Sequence, residues 1–112
     1  MDKVTRYREI LKKVLQEFVA ARNEGNGDIT TQLIMDSERD HYQILRQGWR
    51  NGQQFFNVIF HFDIINGKIW LQRNISDYDI IADIEAAGIP KDAIVLAFYS
   101  PSMRPDTGYA VS

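Results

Sequence analysis

Residues 55–71 read FFNVIFHFDIINGKIWL and contain the clearest indication of secondary structure in the chain. Two apolar runs flank Asn66-Gly67, which predicts a β-hairpin because a type I′ turn needs positive φ at both central positions. The two-residue turn fixes the register and places Ile64 opposite Ile69. One face of the hairpin is then apolar and is expected to lie in the core; its residues are Phe56, Val58, Phe60, Phe62, Ile64, Ile69 and Leu71. The other face carries His61, Asp63, Trp70 and Gln72.

A helix and two more strands are predicted before this hairpin. Apolar residues recur at three- and four-residue steps over residues 3–21, the pattern of a helix with one buried face. Residues 23–27 (NEGNG) are predicted to end the helix, because they tolerate positive φ. Strands are predicted at residues 28–36, 41–49, 55–65 and 68–73, separated by turn residues.

A second helix and a last strand are predicted after the hairpin. Ser76 is expected to cap a helix that runs to Ala87 and stops at the Gly88-Ile89-Pro90 turn. The continuous apolar run at residues 93–99 is typical of a short buried strand. The predicted architecture is a single α+β domain over residues 1–112: an N-terminal helix packed on an antiparallel meander of about four strands, then a second helix and a short C-terminal buried strand.

The composition is that of an ordinary globular protein. The chain has 112 residues, of which 45% are hydrophobic and 25% charged, and this excludes disordered, collagen-like and coiled-coil classes. A net charge of −2 is too balanced to indicate a nucleic-acid binder. Without cysteine there is no disulfide framework and no Cys-based zinc site. The charged N-terminus and the short apolar runs predict a cytoplasmic protein with no membrane contact.

The polar face of the hairpin offers a candidate site. His61 and Asp63 are predicted on one strand face beside Trp70, but a metal site would need further ligands. The other histidine, His41, is expected to pair across the strands with Asp36. Phosphate-binding loops, nucleophile elbows and nuclease-type acidic pairs are absent from the sequence. The prediction is therefore no catalytic, cofactor-binding or metal-binding residue, with His61, Asp63 and Trp70 as interface candidates.

The same face of the sheet is either exposed or covered by another part of the chain. If helices cover only one side of the sheet, apolar side chains on the other side are partly exposed; these are Ile59, Ile65 and Trp70, together with Leu45 and Trp49. Such a patch indicates a partner surface or a homodimer. The alternative is that the second helix or the C-terminal tail folds over it.

The basic residues support another interpretation. Residues 1–22 contain six basic and three acidic side chains, a local charge of +3. With Arg46, Arg50 and Arg73, this first helix could meet the phosphates of DNA, and binding would then weaken steeply with salt.

Three stretches together resemble the XisI family, the controlling factors of fdxN-element excision. They are the hairpin at residues 62–72, the glycine-proline turn and apolar run at 87–98, and a terminal Pro-x-x-Arg-x-x-Thr-Gly-Tyr pattern at 101–109. Two N-terminal segments are also similar: Asp2-Lys3 with Tyr7-Arg8, and Asp36 to Asp40-x-Tyr42. Tyr99-Ser100 departs from the family pattern, in which His and Pro tend to occur.

The resemblance implies a compact α+β protein without catalytic residues, found mainly in cyanobacteria. It implies assistance to a site-specific recombinase during heterocyst differentiation, and a partner similar to XisH. The tail positions Arg104, Thr107 and Tyr109 join the candidate interface on this ground. The expected function is a non-enzymatic accessory factor of DNA excision that acts through contacts with an XisH-like protein. The alternatives are a direct DNA-binding excision factor and a small-molecule or metal-responsive module that uses His61 and Asp63.

Overall fold

The structure is a computed structural model that describes residues 2–23 and 27–112. Within these residues a five-stranded sheet has the order β1-β2-β3-β4-β5, and all pairs are antiparallel except the last. The elements in chain order are α1 (Lys3–Arg22), β1 (Ile29–Asp36), β2 (His41–Arg50), β3 (Gln53–Ile65), β4 (Lys68–Asn74), α2 (Ile80–Ala86) and β5 (Ile94–Val95). The predicted α+β fold class is confirmed.

The first helix begins and ends close to its predicted limits. The Asp2 carboxylate caps α1 by accepting a hydrogen bond of 2.7 Å from the backbone N–H of Thr5. The helix ends at Arg22 with Asn23 as its C-cap; residues 24–26 of the predicted terminating segment lie outside the described part of the chain. Its buried face consists of Tyr7, Leu11, Val14, Leu15 and Phe18.

Two Asn-Gly turns set the strand registers. Asn66 and Gly67 have φ of 51° and 76°, and Asn51 and Gly52 have φ of 53° and 74°, the positive pair that a type I′ turn requires. Across the Asn66-Gly67 turn Ile64 pairs with Ile69, as the sequence predicts.

A β-bulge in β3 overturns part of the predicted core face. Ile44 of β2 pairs with Phe60 and Leu45 pairs with Val58, so Ile59 is an extra residue between them. The inserted residue shifts the alternation for the rest of the strand. Ile59 is buried in the core, whereas Phe56 is 58% exposed and Val58 lies outside the core cluster. The predictions that Phe56 and Val58 face the core and that Ile59 is exposed are therefore wrong.

The second helix begins later than predicted. Asp79, not Ser76, is the N-cap, because its carboxylate accepts a 3.1 Å hydrogen bond from the N–H of Ala82. Ser76 instead shapes the turn before the helix by accepting a bond from the N–H of Tyr78. At the other end Gly88 has φ of 118°, and the N–H of Ile89 bonds to the carbonyl of Ile84. This is a Schellman ending, which requires glycine at that position.

The last strand is shorter than predicted. Only Ile94–Val95 pair with β4, and the chain then turns through a hydrogen bond from the N–H of Tyr99 to the carbonyl of Leu96. The N–H of Phe98 still bonds to the carbonyl of Leu71, 3.0 Å away. An apolar run can thus be packed by a turn as well as by a strand, and apolarity alone does not separate the two.

Both helices lie on one face of the sheet, which we call the inner face. The isoleucines of α2 belong to the same buried cluster as the apolar face of α1 and the inner residues of β2, β3 and β4. The opposite face, which we call the outer face, is therefore not covered by α2.

Candidate functional site

Two histidines and an aspartate meet on the outer face, and we call them the His–Asp–His cluster. His41 lies directly opposite Asp63 on the neighbouring strand, and His61 precedes Asp63 by two residues on the same strand. One carboxylate oxygen, Asp63 Oδ1, is 2.6 Å from His41 Nδ1 and 2.7 Å from His61 Nε2. His41 is the most open of the three, with its side chain 53% exposed, against 14% for Asp63.

The bulge at Ile59 creates this cluster. Near the Asn51-Gly52 turn, Arg50 pairs with Gln53, and without an inserted residue that register would place His41 opposite Phe62. The extra residue moves His41 one place along, opposite Asp63. The predicted pairing of His41 with Asp36 is correct for the backbone register, but the side-chain hydrogen bond goes to Asp63.

Two glutamines surround the cluster. The side-chain nitrogen of Gln43 is 2.9 Å from His61 Nδ1, and that of Gln72 donates to Asp63 Oδ2 at 3.3 Å. Burial alone would raise the pKa of Asp63, but hydrogen bonds from His41 and His61 outweigh it and hold that pKa below its ordinary value. The carboxylate is accordingly a charged acceptor held in one orientation.

Exposed apolar side chains continue from the cluster along the outer face. Ile34 is 48% exposed, Trp49 60% and Phe56 58%, and we call these three residues the apolar strip. Ile34 pairs with Gln43, whose side chain contacts His61 of the cluster. Phe56 lines an open groove that is also lined by His61. Large apolar side chains grouped this way on an open sheet are typical of a binding surface.

The C-terminal tail covers the other end of the outer face. The Arg104 guanidinium lies 5.5 Å from the ring of Trp70 and donates to the carbonyls of Tyr99 and Ala97, at 3.1 and 3.2 Å. Trp70 is therefore half-buried, and its indole nitrogen is buried with no hydrogen-bond partner among the residues that the structure describes. The predicted patch on this face is thus only partly exposed: the tail covers Trp70 and Leu45 is buried, whereas Ile65 is 38% and Trp49 60% exposed.

Thr107 and Tyr109 also fasten the tail. The Thr107 hydroxyl donates to the carbonyl of Arg104 at 2.8 Å, and the Tyr109 hydroxyl donates to the Glu85 carboxylate at 2.8 Å. Burial and the bond to Glu85 together raise the pKa of Tyr109 to about 12. The structure thus gives all three tail candidates contacts within the chain itself.

The three arginines considered for DNA do not share one surface. Arg46 pairs with Asn57 and Arg50 with Gln53, and the alternation of β2 places both on the same side of the sheet as the buried Ile44. Arg73 pairs with His61 on the other side, where its Nε donates to the carbonyl of Val58 at 2.7 Å.

Sequence reasoning missed one contact that joins the helix to the sheet. Arg8 donates twice to the Asp40 carboxylate, at 2.7 and 3.0 Å, and the Tyr42 hydroxyl donates to it at 2.9 Å. The hydrogen bond from Arg8 lowers the pKa of Asp40, and burial with the bond to Asp40 raises that of Tyr42 to about 12. Arg8 and Asp40 are 32 residues apart, so no spacing rule connects them.

Fold and site together define a class: a small α+β protein whose helices cover one sheet face, with a His–Asp–His cluster and apolar side chains on the other. The chain belongs to the XisI family, because the family model described as "XisI protein" matches residues 1–111.

Solved structures agree with this assignment. A XisI-like protein from Anabaena variabilis is 37% identical, with a TM-score of 0.86 over 97% of this chain and 99% of its own. The fdxN element excision controlling factor XisI from the same organism is 32% identical, with a TM-score of 0.84 over 99% and 100% of the two chains. A search of curated proteins finds no significant match. Among the described residues, no helix is long and apolar enough to cross a membrane.

Proposed function

We propose that this chain is a non-enzymatic accessory factor that controls site-specific DNA excision of the fdxN-element type, through protein contacts with an XisH-like partner. Membership of the XisI family supports the first half, since one solved relative is named an fdxN element excision controlling factor. The second half, the mode of action, rests on the outer face of the sheet.

The observation that carries the mode of action is the apolar strip. Phe56 and Trp49 are both more than half exposed and are diagonal neighbours on adjacent strands. Exposed aromatic side chains of this size are costly to keep in water and are enriched at the centres of protein interfaces. An XisH-like protein that covers the strip would remove this apolar area from water.

Polar groups beside the strip give such an interface its rim. His61, Asp63 and Gln43 lie next to Ile34 on the outer face and offer charged and hydrogen-bonding groups. Interfaces commonly combine an apolar centre with a polar edge of this kind. In this proposal the tail residues Arg104, Thr107 and Tyr109, together with Trp70 of β4 beneath the tail, border the surface rather than contact the partner directly.

The proposal is tested by measuring excision with and without the chain. The assay uses a reporter that carries an fdxN-type element, its recombinase and an XisH-like protein, and quantifies the joined DNA junction by PCR. We expect the junction yield to depend on the chain and to fall about tenfold or more in Phe56→Glu, because the new charge would be buried in the interface.

A matched control separates the surface from a general loss of stability. Met103 is 53% exposed but lies on the tail, so Met103→Glu adds the same charge away from the strip and should leave the yield unchanged. A yield that does not depend on the chain, or that is equal in Phe56→Glu and the wild type, would overturn the proposal.

A further inference from the structure

The His–Asp–His cluster supports an inference that does not depend on the proposed function. We propose that His41, His61 and Asp63 bind a transition-metal ion of the Zn²⁺ class on the outer face. The sequence alone predicted no metal ligand because it separated His41 from the other two residues. The bulge at Ile59 brings His41 to Asp63, so the third ligand is present after all.

The three donor atoms are already gathered. His41 and His61 each offer a ring nitrogen and Asp63 a carboxylate oxygen, and these atoms all lie within 4.8 Å of one another. Zn²⁺ binds nitrogen and oxygen at about 2.0–2.2 Å, which places tetrahedral ligand atoms about 3.3 Å apart. The two N···O distances of 2.6 and 2.7 Å would open slightly to admit the ion. Side-chain rotations on fixed strands are enough for this change.

The side chains around the cluster can orient its three residues for metal binding, as they orient them for the present hydrogen bonds. If His61 Nε2 binds the ion, its proton moves to Nδ1, and the side chain of Gln43, which is 2.9 Å away, can accept it through its oxygen after an amide flip. Gln72 holds the second carboxylate oxygen of Asp63. Metal-binding histidines and carboxylates are usually oriented by partners of this type.

The donor set selects the class of ion. Two imidazoles and one carboxylate suit Zn²⁺ and its neighbours Co²⁺ and Ni²⁺ better than Ca²⁺ or Mg²⁺, which prefer oxygen ligands throughout. Three protein ligands leave a further coordination position for water or for a side chain of another molecule. Exposure of the His41 side chain gives the ion access from solvent.

The test is a calorimetric titration of the tag-free, metal-free protein with Zn²⁺. The chain contains two histidines and no cysteine, so binding that depends on histidine can arise only at this cluster. We expect one ion per chain, and a loss of affinity of about tenfold or more in each of His41→Gln, His61→Gln and Asp63→Asn. Bound Co²⁺ should show the visible absorption of tetrahedral nitrogen and oxygen coordination.

The matched control is Asp28→Asn, which changes an exposed carboxylate just before β1 and should bind Zn²⁺ as the wild type does. Thermal melts without metal check that each variant folds, and a metal-dependent rise in Tm should occur in the wild type and the control only. Absence of Zn²⁺ binding by the wild type would overturn the proposal. So would wild-type affinity in folded His41→Gln or His61→Gln.

Discussion

Asp40 connects the first helix to the first hairpin through a single side chain. Its carboxylate accepts hydrogen bonds from Arg8 on α1 and from Tyr42 on β2, and its backbone has φ of 60°. The partners are largely shielded from water, with Arg8 and Asp40 side chains 24% and 17% exposed. Arg8 and Asp40 therefore form more than an ordinary surface ion pair.

Replacement of Asp40 by asparagine should destabilise the protein by about 1–3 kcal/mol, because three hydrogen bonds to a charged acceptor are weakened. Asparagine also tolerates the left-handed backbone, so the change isolates the charge. Urea denaturation measures the loss. Glu9→Gln, which removes an exposed pair with Lys12, is the control and should cost less than about 0.5 kcal/mol.

The contribution of Asp40 should also depend on pH. Its pKa is lowered in the folded state, so the stabilisation is present above the unfolded pKa of about 3.9 and is lost as the pH falls through the folded value. The stability difference between wild type and Asp40→Asn should therefore shrink below about pH 4. A difference that stays constant from neutral pH to pH 3 would contradict this account of the Arg8–Asp40 contact.

Among the strands, the backbones of β2 and of the segment leading into β1 approach each other closely at Gly48. A Cβ atom on Gly48 would lie 1.9 Å from the carbonyl oxygen of Asp28, and this oxygen belongs to the backbone and cannot rotate away. Gly52, by contrast, has φ of 74°, and no atom of the described part of the chain lies within 4 Å of the position of a Cβ there.

The different surroundings of Gly48 and Gly52 predict different losses of folding stability when each is replaced by alanine. Gly48→Ala should lower the free energy of unfolding by about 3 kcal/mol, because β1 and β2 must move apart to admit the methyl group. Gly52→Ala should lower it by about 1–2 kcal/mol, through backbone strain alone. Denaturation midpoints of the two variants give the comparison. Equal losses, or a larger loss at Gly52, would mean that the close approach to Asp28 is unimportant.

The tail is the second element whose packing can be measured. Arg104→Ala removes both hydrogen bonds to backbone carbonyls and the cation above Trp70, so the tail should loosen. In a Trp49→Phe background, Trp70 emission should shift to longer wavelength and acrylamide should quench it more strongly. Arg104→Lys keeps the charge but not the two directed donors and should give an intermediate effect. Unchanged quenching in Arg104→Ala would contradict this role.

Elements with local signals are the ones that the sequence predicts well. The Asn66-Gly67 turn, the apolar face of α1 and the register of the last hairpin next to its turn each depend on residues close together in the chain. The bulge at Ile59 is different, since an inserted residue in an apolar run leaves the run apolar. The N-cap at Asp79 and the short β5 differ from the prediction for a related reason. Several neighbouring residues could cap the helix or end the strand, and tertiary contacts determine which of them does.

At the scale of the whole molecule, both helices cover the inner face, and the tail covers one end of the outer face. Among the described residues, the apolar strip and the His–Asp–His cluster beside it lie exposed on the outer face. The sequence predicted His61 and Asp63 on one face correctly, but it could not place His41 there without knowledge of the bulge. The place of His41 in the candidate site thus depends on the bulge at Ile59, and a second register shift in the sheet lies at Gln72, which bonds to Asp63.

If the outer face binds an XisH-like protein, as we propose, the complex should be visible in native mass spectrometry of the two proteins co-expressed. We expect a defined heteromeric mass for the wild type and for Met103→Glu, and separate components for Phe56→Glu. If the wild-type proteins appear only as separate species, or if Phe56→Glu retains the complex, the outer face is not the surface through which this protein acts.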